Sequence, residues 1–218
     1  MKKKQLELYI AITALAGGLL LGAFLLVSLF SGGVTAQDFE WVDEPARYTR
    51  RLLAAETPLR LILTLDNLFV LAYTAAFLFL AMRLRAKRNR ILIGAALGAL
   101  LATTYLDLYE NHTTLMHLDS AALGLPIEAR DLQSRMMWSQ LKFHSSYLAF
   151  FLFAFALPAK TRIERFLKYS LWFAFPPLGI LLYTFPHPLL ELGRYLFMLS
   201  GLLLLAWVFW MRYRARGA

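Results

Sequence analysis

The chain contains no cysteine. Disulfides, thiolate nucleophiles and cysteine-ligated zinc or iron–sulfur centres are therefore excluded. Charge is scarce as well: 17% of the residues are Asp, Glu, Lys or Arg, against about 25% in an ordinary soluble domain. Acidic residues are the scarcer kind, 14 against 23 Lys and Arg. Common catalytic signatures are also missing. There is no HExxH pair, no phosphate-binding loop ending in Gly-Lys-Ser/Thr and no serine nucleophile elbow. No cofactor class follows from the residues present.

What the chain has in quantity is apolar length. Of 218 residues, 59% are hydrophobic, and the mean hydropathy is +0.54. The apolar residues fall in six blocks, at about 8–30, 59–82, 91–108, 139–157, 166–185 and 189–211. A helix crossing hydrocarbon needs about 20 apolar residues in succession, whereas a barrel strand needs only about 10. Lipid offers the backbone no hydrogen-bond partner, so such segments must satisfy themselves as helices. The expected fold is all-α: a single polytopic transmembrane domain over 1–218 with six spans.

The basic residues alternate along the chain. Lys2, Lys3 and Lys4 precede the first block, and Arg83, Arg85, Lys87, Arg88 and Arg90 separate the second from the third. Lys160, Arg162, Arg165 and Lys168 separate the fourth from the fifth, and Arg212, Arg214 and Arg216 follow the sixth. Only Glu7 and Glu164 offset them on that side. The positive-inside rule then places both termini in the cytoplasm, in a cell's inner (plasma) membrane. The same distribution argues against a nucleic-acid partner. The positive charge lies in short juxtamembrane clusters rather than on one binding face, and the expected partner is the lipid bilayer. The first block, with Val34-Thr35-Ala36 after it, is longer than a signal-peptide core and reads as a retained helix.

Two outer loops are expected, at 31–57 and 109–138. The first holds an acidic stretch and a short helix from Pro45 to about Ala55, since proline suits a first helical turn. The second breaks at Gly124-Leu125-Pro126 and then turns helical toward the fourth span. Gly17-Gly18 and Gly94/Gly98 read as points of close helix packing.

Ionisable residues within spans are costly and mark candidate sites. They gather in three helices: Asp66, Asn67 and Tyr73 in the second, Asp107, Glu110 and Asn111 in the third, and Lys142 and His144 in the fourth. At 1.5 Å per residue, Asp66 lies roughly 10 Å below the outer surface, and the other groups fall at similar depth. Asp107, Glu110 and Asn111 have i, i+3, i+4 spacing and share one helix face, while Arg135, Ser139, Lys142 and Ser146 form a stripe on the fourth helix. Lys142 is expected to neutralise Asp66 or Asp107. A zinc site built on His112, His117 and His144 is the sharper catalytic alternative, but the first two are five apart and share no face. No metal is favoured.

The stretch from about 59 to 154 resembles a family of bacterial multi-pass membrane proteins of uncharacterised activity. The resemblance is carried by Leu65-Asp66-Asn67 with Tyr73, by Asp107-Leu108-Tyr109-Glu110-Asn111, and by Lys142. It implies a shared fold and a shared site in three successive helices, and it brings no activity with it. The late HxxxH pair of ceramidase-type zinc hydrolases is absent, so the chain does not resemble them.

The sequence thus supports an outward-facing intramembrane site for a small polar molecule, a lipid headgroup or an ion, serving transport or sensing. Asp66, Asp107 and Glu110 would be acceptors, Asn67 and Asn111 would orient, Lys142 would anchor, and His144 would tune with pH. One alternative is a membrane enzyme acting on a lipid or isoprenoid, with Asp107 or Glu110 as general base and Lys142 or His144 polarising the substrate. The other is a structural or assembly subunit in which the polar groups only fix helix packing. Oligomeric state is not legible.

Overall fold

The computed structural model describes residues 3–215, apart from the side chain of residue 88. The described residues form eight α-helices: α1 (Lys3–Phe30), α2 (Pro45–Ala54), α3 (Glu56–Leu84), α4 (Arg90–Ala122), α5 (Ala129–Ala156), α6 (Arg162–Phe173), α7 (Phe175–Thr184) and α8 (Pro188–Ala215). No strand occurs among the described residues. Among the described residues, five segments are long and apolar enough to cross a membrane: α1, α3, α4, α6 with α7, and α8. Helix α5 is of similar length, but Arg135, Gln140, Lys142 and His144 lower its hydropathy.

The long helices form a closed ring. Helix α1 packs on α3, α3 on α4, α4 on α5, α5 on α6 and α7, and these two on α8, which returns to α1. Helix α2 lies across α4 and α3 at one end. At the other end the basic clusters meet, because α1 and α6 start there while α3 and α8 finish there. The two acids of that end serve as ties. Buried Glu7 pairs with Arg83 at 2.7 Å and links α1 to α3, and buried Glu164 pairs with Arg212 at 2.6 Å and links α6 to α8. Glu164 also closes a capping box with Thr161 that starts α6.

The outside of the ring is apolar. Phe30 is 90% exposed and Ile91 is 89% exposed, and Leu19, Leu71 and Phe173 also stand clear of the bundle. A monomeric soluble protein rarely shows so much contiguous apolar surface, so the exterior suits hydrocarbon.

Several sequence expectations change in detail. The stretch 109–138 is mostly helix: α4 runs to Ala122 and α5 begins at Ala129. Only a short turn breaks it, where Gly124 takes φ +71 ahead of Pro126. The fifth apolar block is two helices divided at Ala174, because Pro176 and Pro177 cannot continue the α6 hydrogen-bond ladder. The helix expected from Pro45 forms as α2, with Glu44 as its N-cap. Gly17 and Gly18 do sit against α8, where an added Cβ on Gly18 would meet Leu203 at 2.7 Å. Gly94 and Gly98 meet nothing within 4 Å and are not packing points in this chain.

Candidate functional site

The apolar interior falls into three clusters among the described residues, the smallest being Phe143 and Tyr147 of α5 with Phe175 of α7. The largest core holds Phe69, Val70 and Tyr73 of α3, Ile93, Ala96 and Leu100 of α4, and Ala149 and Phe153 of α5. A smaller core at the α2 end holds Leu59 and Leu63 of α3, Leu118 and Ala121 of α4, and Leu132 of α5, packed under Tyr48 and Leu52. On all three helices the polar residues fill the interval between these two cores. Asp66 and Asn67 do so on α3, residues 103–117 on α4, and residues 135–146 on α5. The result is a polar layer with apolar packing above and below.

Ion pairs and hydrogen bonds join the layer. Lys142 on α5 is buried and donates to Glu110 at 2.5 Å, with Asp107 at 3.2 Å. Both acids lie on α4, one turn apart, so one ammonium faces two carboxylates. Tyr73 on α3 donates its hydroxyl to the second oxygen of Asp107 at 2.5 Å. Asn111 donates to Asp66 at 2.7 Å and to Asn67 at 3.1 Å, tying α4 to α3. Thr74 with Thr104 and Thr103 with Ser145, both at 2.8 Å, continue the same seams. Arg135 of α5, only 3% exposed, donates to Thr114 at 2.9 Å and lies over the Tyr48 ring. A low-dielectric interior strengthens such contacts and also makes an unpaired member costly.

Of the expected site residues, Asp66, Asn67, Tyr73, Asp107, Glu110, Asn111 and Lys142 therefore come together. His144 does not. It is exposed, its ring bonds the Gln140 carbonyl at 2.8 Å, and it stacks on Tyr183. The three histidines of the zinc alternative are also apart. His112 is exposed and bonds the Leu108 carbonyl, while His117 is buried against Tyr48. No group of three His, Asp or Glu placed to hold a metal ion occurs among the described residues.

A cavity of about 430 Å³ opens inside the ring beside this layer. Asp66, Asp107, Glu110, Asn111, Arg135 and Lys142 line one part of it. A second, apolar part reaches toward the basic end, past Phe77, Phe150 and Phe153 to Leu157 and Leu167. From Lys142 to Leu157 along α5 is about 22 Å at the helical rise.

The sequence reading passed over two contributors, Glu40 and Arg194, both buried and both lining the cavity. Glu40 comes from the loop between α1 and α2 and pairs with Arg194 of α8 at 3.4 Å. Burial pushes the Glu40 carboxyl above its usual range, while Arg194 pulls it back. Trp41 adds a hydrogen bond to Glu191 at 3.3 Å, so the loop is latched to the start of α8. Arg194 carried the signal that marked Lys142, an ionisable residue within an apolar block. Glu40 carried none, because only the folded loop brings it inward.

Compared with protein-family models, with curated proteins and with solved structures, the chain matches none. The functional reading rests on geometry alone.

Proposed function

We propose that this protein is a six-span membrane protein, with both termini on the cytoplasmic side of a cell membrane, that binds a polar group within its helix ring for transport or sensing. In this reading α5 is the sixth span. Arg135, Ser139, Lys142 and Ser146 on it are buried, so its two mid-helix cations do not face lipid. The alternating basic clusters support the sidedness, which makes the polar layer face outward. Asp66, Asp107, Glu110, Asn111 and Lys142 are the binding residues, with Asn67 and Tyr73 orienting their neighbours. The residues that carry the resemblance to the uncharacterised membrane family are the same ones.

The carrying observation is that the polar layer borders a cavity of ligand size. A layer that served helix packing alone would be filled by its own side chains. Pockets of roughly 300–1,000 Å³ with a few convergent polar groups are the usual form of a ligand site.

Gly201 offers a test away from the charges. It lines the cavity, and an added Cβ would meet nothing within 4 Å. Gly201→Leu should fill the space, leave the fold intact and abolish binding. The measurement is mass spectrometry of molecules retained by detergent-purified protein, with a thermal-shift screen over lipids, ions and polar metabolites. A stoichiometric molecule lost in the variant supports the site. A wild type that retains nothing and shifts with nothing reduces the layer to helix-packing glue.

A further inference from the structure

The charges in the layer do not all cancel. Lys142 serves Asp107 and Glu110 together. That leaves two members of the layer without an ionic partner. Arg135 has no carboxylate within ion-pair distance among the described residues. Its Nη1 bonds Thr114, and its Nη2 is buried without a protein partner. Among the described residues, Asp66 accepts only from Asn111 and has no cation within the same distance. Both residues line the cavity.

A buried guanidinium with an unused donor is expensive unless an anion completes it. The layer nevertheless holds three carboxylates against two cations, so a purely anionic ligand would add repulsion to an acidic surplus. A ligand carrying one charge of each sign answers both. The placement suits this. Asp66 bonds Asn111 and Arg135 bonds Thr114, and these α4 residues are three apart on one face, about 5–6 Å between their Cβ atoms. Asp66 and Arg135 thus stand at adjacent stations along the cavity wall, one able to accept from an ammonium and the other to donate to a phosphate.

The rest of the cavity says what is attached to that zwitterion. Its apolar length fits a hydrocarbon chain, and its mouth opens sideways. Most of the lining is buried or partly buried; the exposed lining residues are Leu25 near the end of α1, Asp38 in the loop, and Pro188 and Leu192 at the start of α8. Deeper in, the same two helices close together, where the Tyr195 hydroxyl bonds the Leu21 carbonyl and Gly18 faces Leu203. The exposed rim therefore lies between the end of α1 and the start of α8, with Leu25 and Leu192 on it beside Asp38, where an apolar chain can enter with a polar headgroup behind it.

Resting on the binding function proposed above, we infer that the ligand is a lipid with a zwitterionic primary-amine phosphate headgroup. The phosphate lies on Arg135, and from it two arms run inward side by side: the ammonium to Asp66 and a hydrocarbon chain into the apolar part of the cavity. A primary ammonium donates hydrogen bonds to the Asp66 carboxylate, which a quaternary ammonium cannot do.

The test is a thermal-shift and affinity titration of delipidated full-length protein in detergent with phosphatidylethanolamine, phosphatidylcholine, phosphatidylglycerol and free phosphoethanolamine. Phosphatidylethanolamine should bind most tightly and free phosphoethanolamine only weakly. Asp66→Asn keeps an acceptor for Asn111 and should weaken phosphatidylethanolamine about 10- to 100-fold, leaving phosphatidylglycerol little changed. Should that variant fail to fold, the wild-type rank order decides alone. Phosphatidylglycerol equal to or tighter than phosphatidylethanolamine overturns the zwitterion while sustaining the headgroup site. Free phosphoethanolamine as tight as the lipid overturns the lipid. Binding of none of the four overturns the inference, and the wider screen described above then decides whether any polar ligand is bound.

Discussion

Lys142 is the residue on which the layer depends most. Its ammonium is the only cation within ion-pair reach of Asp107 and Glu110 among the described residues. Lys142→Met keeps the length of the side chain and removes the charge, leaving two buried acids facing each other. The expected cost in ligand-free protein is about 3–5 kcal/mol, the usual penalty for orphaning a buried charge. Adding Asp107→Asn and Glu110→Gln to the same variant should recover most of it, read as denaturation midpoints in detergent. Tyr73→Phe removes one hydrogen bond to a charged acceptor and should cost less, about 1.5–3 kcal/mol. A second residue-scale prediction concerns acid. Glu44 accepts from the backbone N–H groups of Ala46 and Arg47, and these hold its carboxyl below the ordinary range. Burial would raise the carboxyl of Asp43, but hydrogen bonds from Arg47, the Glu44 N–H and Arg51 outweigh it and leave it lowered. Groups with a lowered folded pKa stabilise at neutral pH. Their contribution fades as pH falls from about 4, the unfolded value, and is gone below the folded values. Glu44→Ala should therefore melt earlier than wild type at pH 7, and the gap should narrow as pH falls below about 4, followed by circular dichroism.

At the scale of elements, helix contacts turn on a few small residues. An added Cβ on Gly179 of α7 would clash with the Tyr147 ring on α5. Gly179→Ala should destabilise by about 1–3 kcal/mol, as overpacking does. Gly98→Ala on α4, with open space around it, should be neutral or gain up to about 1 kcal/mol from helix propensity. A pair of melting curves in detergent separates the two, and equal losses would mean that helix spacing does not set these costs. The glycines also show where sequence reading stops. Spacing alone made Gly94 and Gly98 look like a packing motif, but spacing does not say which helix face meets a neighbour. The convergence of Asp66, Asp107, Glu110, Asn111 and Lys142 was legible, because helical periodicity and alternating topology put them on facing sides at one depth. His144 was expected in the site against that periodicity: two residues from Lys142 is about 200° around a helix with 3.6 residues per turn, on the opposite face. Glu40 and the loop latch were not legible at all, since they depend on a chain reversal that no local pattern encodes. The length of α4 was hidden for a simpler reason. Its last turns are polar because they face the layer and α2, and low hydropathy there resembles a loop.

For the whole molecule, the number of crossings turns on α5. Five segments cross by composition, and an odd count would put the two termini on opposite sides. Yet α5 closes the ring between α4 and the α6–α7 pair, and it turns Arg135 and Lys142 inward. A ring member of 28 residues is about 42 Å long, more than the roughly 30 Å of hydrocarbon. It therefore has the length to span beside its neighbours. With six crossings the turn after α4 and the turn after α5 lie on opposite sides, and the turn after α5 shares the side of both termini. The absence of cysteine makes this directly measurable, since any introduced thiol is the only one in the chain. Leu125→Cys in the α4–α5 turn should react with a membrane-impermeant maleimide on intact cells. Ala159→Cys in the α5–α6 turn should react only after the membrane is opened. Labelling of both positions from outside would remove α5 from the spans. It would also undo the outward-facing site, because the polar layer would no longer lie between two helices that cross in opposite directions.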